Sequence, residues 1–153
     1  MTNPAASEKT RAPLIFTSRV GAPPEVVFEA FFGTPERWLC RERQIDARVG
    51  GQIHLCWPDG CVEGRFVQCQ PPTLARFSWR MQDDSLPETM VVVHTDRIAD
   101  APGSTALEVE HYGFGIGPDW DRAYVGAARA WGAYLKNLRA VLEASVDLRE
   151  ADE

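Results

Sequence analysis

The stretch DWDRAYVGAARAWGAYLKNLRAVLEASV, residues 119–146, decides how the rest of this chain is read. Its residues Trp120, Tyr124, Ala127/Ala128, Trp131, Leu135, Leu138 and Leu142 recur every three or four positions, the spacing that lines one stripe of an α-helix. Gly117-Pro118 precedes it, Asp119 is placed to cap the first turn with a side-chain oxygen, and Asp121 adds negative charge there. Lys136 and Arg139 fall in the second half, where the helix dipole favours cations. The stripe is graded, with rings and alanines in the first half and leucines in the second. Leucines fill a core, whereas alanines between large rings leave volume. The pattern predicts a long C-terminal helix that closes a core at one end and roofs a cavity at the other.

Composition narrows what such a helix can serve. A chain of 153 residues suits one domain, which buries roughly 70% of the surface its unfolded form exposes. Its formal charge is −6, with pI near 5.1. The 16 basic residues are scattered, which argues against nucleic acid and against an anionic membrane surface. No apolar run approaches the ~20 residues of a membrane helix, and residues 1–11 lack the apolar region of a signal peptide. A soluble cytoplasmic protein, monomer or homodimer, is expected, with no cofactor. Cys40, Cys56, Cys61 and Cys69 form neither a disulfide framework nor a paired zinc-ligand pattern, so reduced thiols are the expectation.

Outward from the helix, the spacing predicts one domain over 14–146, flanked by a mobile N-terminal tail, 1–13, and a polar C-terminal tail, 147–153. Leu14 to Val20 reads as a strand ending at Gly21. Pro23-Pro24 opens a helix whose face is Val27, Phe28, Phe31 and Phe32, and 35–39 adds one further turn. The period then changes to two. Strands are predicted at 52–57, 61–70, 74–81, 88–98 and 104–112, broken by Pro58-Asp59-Gly60, by Pro71-Pro72, by a polar loop at 82–87 and by Asp100-Ala101-Pro102-Gly103. Gly50-Gly51 reads as a tight turn, with no helix start after it to cradle an anion. Short connections favour an antiparallel meander of about six strands wrapped on the last helix, an α+β fold.

This order, together with particular motifs, resembles the helix-grip fold of START and birch-pollen-allergen-like (SRPBCC) domains. Within it, the chain resembles the branch named after the activator of the heat-shock-protein-90 ATPase. The resemblance rests on 22–30 (APPEVVFEA), 46–51 (DARVGG), Asp59-Gly60, Glu63-Gly64, 71–74 (PPTL), 77–79 (FSW), 103–107 (GSTAL) and 131–135 (WGAYL). It implies a sheet–helix cavity for a small apolar molecule, with polyketide-cyclase-like chemistry in some relatives. The eukaryotic activator also carries a second domain that docks on the chaperone. These 153 residues leave no space for one, so a chaperone partner stands third behind ligand binding and catalysis.

The residues expected around the cavity are Phe77, Trp79, Trp120, Tyr124 and Trp131. Ala127, Ala128 and Gly132 supply space beside these rings, and the Tyr124 hydroxyl orients the ligand. The same rings also suit an ordinary core. On the last strand, His111 shares its inward face with Leu107 and Val109. Placing Ile98 opposite Thr105 sets Asp96 opposite Leu107, His94 opposite Val109 and Val92 opposite His111. His94, Asp96 and His111 then share the inward face, with the imidazoles about 7–8 Å apart at the backbone. They would anchor a ligand, move a proton as an acid–base pair in a cyclase-like enzyme, or form a partial metal site. Val91 and Val93 are as apolar as Val92, so a slip by one residue turns His94 and Asp96 to solvent. His54, Cys56 and Cys61 flank the 57–60 turn. Parity sets His54 and Cys56 on the outer surface, and three candidate ligands do not amount to an expected metal site. Glu63 and Arg65 read as a solvated pair near the cavity mouth. No Ser-His-Asp or phosphate-loop pattern is present, and the expected activity is binding without catalytic residues.

Overall fold

A computed structural model describes residues 10–82 and 85–149. Strand β1 (Leu14–Val20) leads through Pro23 into helix α1 (Pro24–Phe32) and a single 3-10 turn, Pro35–Arg37. Six strands follow: β2 (Glu42–Ile45), β3 (Gln52–Trp57), β4 (Gly60–Gln70), β5 (Leu74–Met81), β6 (Thr89–Ile98) and β7 (Ala101–Tyr112). Helix α2 (Pro118–Ala144) completes the order. The seven strands form one antiparallel sheet in the order β1-β7-β6-β5-β4-β3-β2, wrapped on α2 in a helix-grip arrangement.

The core lies between the sheet and the two helices. Val27, Phe31 and Phe32 of α1 share one buried cluster with Phe66 and Phe77 of the sheet, and Phe32, Phe66 and Phe77 form a triangle of rings with centroids 5.5–5.7 Å apart. From α2, Trp131, Leu135, Leu138 and Val141 are buried; each such side chain contributes roughly 1.5–3 kcal/mol by leaving water. Asn137 is buried among them.

Several expectations need correction. Strand β2 has no alternation to betray it, because Glu42, Arg43 and Gln44 are all exposed. Helix α2 starts one residue early at Pro118, with Gly117 as a cap that makes no side-chain bond, and Asp119 instead pairs with Arg122. Its C-terminus closes at Ser145, whose left-handed φ of 56° lets the Ser145 and Val146 amides donate to Val141 and Ala140. Residues 10–13, expected with the tail, lie against the body: the Arg11 amide donates to Phe114 O at 2.9 Å. The rest of that tail, 1–9, lies outside the described residues, as do 83–84 of the polar loop and 150–153.

The β6–β7 register also differs from the expected one. Ile98 pairs with Ala101 and Arg97 with Thr105, so residues 102–104 are accommodated in an irregularity on β7. Beyond it Val91 faces His111, Val93 faces Val109, His94 faces Glu108 and Asp96 faces Ala106. The three valines carry no parity of their own, and the bulge beside the turn decides which of them goes inside.

Glycines act where backbone demands it. Gly50 has φ +82°, and a Cβ on Gly51 would stand 1.9 Å from the Asp46 carbonyl oxygen. Cys56 and Cys61, directly opposite in the β3–β4 hairpin, form a disulfide, contrary to the expectation of reduced thiols, while Cys40 and Cys69 are free. Glu63 pairs with Arg80 rather than Arg65, whose guanidinium donates to Gly50 O. Among the described residues, no helix is long and apolar enough to cross a membrane.

Candidate functional site

The graded stripe on α2 produces a cavity of about 510 Å³ between the first half of that helix and the far end of the sheet. Its roof is made of Ala123, Gly126, Ala127 and Ala130, one helical row of small residues, followed by Trp131 and Tyr134. Trp79 and His111 form the floor, and Trp57, Asp59 and Val62 bring in the β3–β4 hairpin. Leu86, Pro87, Arg80 and Arg122 complete the lining. A wider groove, about 710 Å³, runs along the outer side of the sheet past Asp46, His54, Glu63 and Arg65. Its charged walls do not suit an apolar ligand; the sheet–helix cavity does.

The rings around the cavity support one another. Trp57 stacks on Tyr134 at 5.8 Å and 16°, Trp79 lies 5.6 Å from Trp131, and Trp57 lies 6.2 Å from Trp79. The Trp57 indole is anchored by donating to Leu39 O at 2.7 Å. Burial, reinforced by nearby Asp59 and Cys40, pushes the Tyr134 hydroxyl up to about 12, so it is a neutral O–H at physiological pH. That hydroxyl sits on a cavity-lining ring.

His111 is 1% exposed and fully engaged. The Trp131 indole N–H, which can only donate, points at His111 Nδ1 at 3.0 Å. Nδ1 is therefore the bare nitrogen and Nε2 carries the proton. Nε2 donates to Thr89 Oγ1 at 2.7 Å, and Thr89 Oγ1 donates in turn to Trp79 O at 3.1 Å. The chain Trp131–His111–Thr89–Trp79 ties the helix to β7, β6 and β5. Desolvation holds the imidazole far below its usual range, at about 3. A neutral ring with both nitrogens used is a poor proton shuttle.

Of the eight residues expected at the site, Trp79, His111, Ala127 and Trp131 meet at the cavity wall. Phe77 stands behind it, held in the ring triangle under α1. Tyr124 faces the N-terminal segment: its hydroxyl donates to Ala12 O at 3.0 Å, its ring meets Phe114 at 5.2 Å, and the Arg11 guanidinium lies 5.3 Å over it. Ala128 is turned about 100° from Ala127 on the helix and leaves the wall. His94 and Asp96 occupy the outer side of the sheet, because of the register. Sequence reasoning missed Trp57, Thr89, Phe114 and Tyr134. Two of these carried a signal: Trp57 has inward parity on β3, and Tyr134 lies three residues after Trp131 on the helical stripe.

The profile of the family described as Activator of Hsp90 ATPase homolog 1-like protein matches residues 21–143. None of the curated proteins matches. Among solved structures, CalU16 from Micromonospora echinospora is similar with a TM-score of 0.71 at 22% identity, over 92% of this chain and 80% of its own. PFC0360w, an HSP90 activator from Plasmodium falciparum, gives 0.68 at 24% identity over 86% and 96%. DynU16, described as a putative protein in the dynemicin biosynthetic locus, gives 0.74 at 18% identity, over 88% of this chain and 48% of that one. At these identities the likeness speaks for the fold alone.

Proposed function

Because this chain belongs to the Activator of Hsp90 ATPase homolog 1-like family, we propose that its core activity is reversible binding of a small, flat apolar or aromatic molecule in the sheet–helix cavity. The observation that carries this reading is the pairing of a roof of small residues, Ala123, Gly126, Ala127 and Ala130, with a wall of four rings, Trp57, Trp79, Trp131 and Tyr134. Such rings give stacking surface at low entropic cost, and the alanines and glycine leave the volume open. The neutral Tyr134 hydroxyl is the donor that orients a ligand oxygen or nitrogen, the role the sequence suggested for Tyr124. The place of DynU16 in a biosynthetic locus agrees with a small-molecule partner. Proton transfer by His111 forms no part of the proposal, since Trp131 and Thr89 already occupy both of its nitrogens.

Titration with the apolar fluorophore Nile red, read by its emission and by quenching of the cavity tryptophans, tests this. Binding with a micromolar Kd is expected, and Ala127→Phe should weaken it by at least about tenfold as it fills the cavity, with far-UV circular dichroism unchanged. An absence of binding at about 100 µM dye, or unaltered affinity in a folded Ala127→Phe variant, would remove the reading.

A further inference from the structure

We propose that the outer face of the β3–β4 hairpin is a zinc site that becomes available when its disulfide is reduced. The register carries the argument. His54 lies opposite Glu63 and Cys56 lies opposite Cys61, so two cross-strand pairs place four residues of metal-binding type on one side of the hairpin. Ile53, Leu55 and Val62 on the other side are buried, which pins that orientation.

The side chains converge as well as share a face. His54 Nε2 is 3.3 Å from Cys56 Sγ. The ligand atoms of His54, Cys56 and Cys61 all lie within 4.8 Å of one another. A structural staple needs only the two cysteines. An imidazole nitrogen aimed at the sulfur completes an N,S,S set, the donor chemistry that selects zinc among the common divalent ions. Zinc–sulfur bonds of about 2.3 Å at tetrahedral angles set two thiolates roughly 3.7 Å apart. Directly opposed cysteines reach that separation by side-chain rotation alone. The fourth position is left to water, since Glu63 shares the face but lies outside the close cluster of ligand atoms. That carboxylate at present accepts from Arg80 at 2.9 Å and Gln82 at 3.3 Å.

The hairpin keeps its shape without the sulfur bond, because β3 is also paired with β2 and β4 with β5. His54, Cys56 and Cys61 are only half-buried, and His54 lines an open groove, so a reductant and an ion can reach them. A dithiol supplies the two electrons: the Cys56–Cys61 bond breaks, both sulfurs take a proton, and the dithiol leaves as its cyclic disulfide. Zinc binding then forms two Zn–S bonds and releases both thiol protons to solvent.

The test uses the full chain in two states, oxidised and reduced with dithiothreitol, the reductant being removed anaerobically before titration with Zn²⁺ against a chromophoric chelator. The reduced chain should bind one zinc with submicromolar affinity, and the oxidised chain at least about a hundredfold more weakly. His54→Ala, which leaves the disulfide and the fold in place, and Cys61→Ser should each weaken the reduced site by at least about tenfold. Cys69→Ser should not. Cobalt(II) should give thiolate charge-transfer and tetrahedral d–d bands. Equal zinc affinity in the two states, full affinity in His54→Ala, or loss of the sheet's circular dichroism on reduction would each overturn the proposal.

Discussion

His111 shows how a single donor can dictate the behaviour of a titratable group. The Trp131 indole has one N–H and no lone pair to offer, so it selects the imidazole tautomer and leaves no room for a second proton on Nδ1. With the ring held at about 3 in the fold and near 6.5 in the unfolded chain, the unfolded state alone takes up a proton between those values. Stability is therefore fully present above pH 6.5 and declines as pH falls toward 3, by up to about 1.4 kcal/mol per pH unit. The carboxylates of Glu143 and Asp147, both shifted down by their hydrogen bonds, stay ionised in the upper part of that window. Urea unfolding should show ΔG lower by about 1–2 kcal/mol at pH 5 than at pH 6.5. His111→Gln should flatten this difference, and an unchanged slope in that variant would show that the proton goes elsewhere. The inward direction of His111 was readable from period two along β7. Its partners were not, because Thr89 and Trp131 lie 22 and 20 residues away and only the assembled sheet and helix bring them together.

At the scale of elements, the long helix was legible because its stripe repeats over about six turns, yet its face was read slightly off. A stripe that includes both Ala127 and Ala128 does not say which alanine looks into the cavity; packing against Trp79 and His111 selects Ala127 and, with it, Ala123, Gly126 and Ala130. The β6–β7 register was illegible for a different reason, since three successive valines offer no contrast between faces. Strand β4 carries a sharper constraint than its pattern suggests. A Cβ on Gly64 would stand 1.8 Å from the Ser78 carbonyl oxygen of β5, and the neighbouring Arg65 amide donates to Ser78 Oγ at 2.9 Å. The two strands approach too closely there for any side chain. Gly64→Ala should cost about 1–3 kcal/mol in urea unfolding as β4 and β5 are forced apart; a cost within experimental error would mean that the close approach relaxes freely.

For the whole molecule, Asn137 joins segments that no local pattern connects. Its Nδ2 donates to Trp38 O at 2.8 Å and to Asp147 Oδ1 at 3.0 Å, while its Oδ1 accepts from the Leu148 amide at 2.7 Å. One buried amide thus ties helix α2 to the turn after α1 and to the residues after the helix. Arg149 adds to this by donating to Cys40 O and Glu36 O. Asn137→Leu should leave the Trp38 carbonyl without that donor and cost about 1–3 kcal/mol, a Tm lower by roughly 3–10 °C. No loss of Tm would show that the tie is dispensable. Helix α2 runs unbroken from the cavity roof to the Leu138 and Val141 end of the core. A molecule lodged beneath Ala127 must therefore be expelled before that rod can lift, so occupancy and unfolding draw on one equilibrium. A compound present at a hundred times its Kd raises the unfolding free energy by about 2.7 kcal/mol. Heat alone can then sort a chemical library against this protein, with no prior guess at what the natural occupant is.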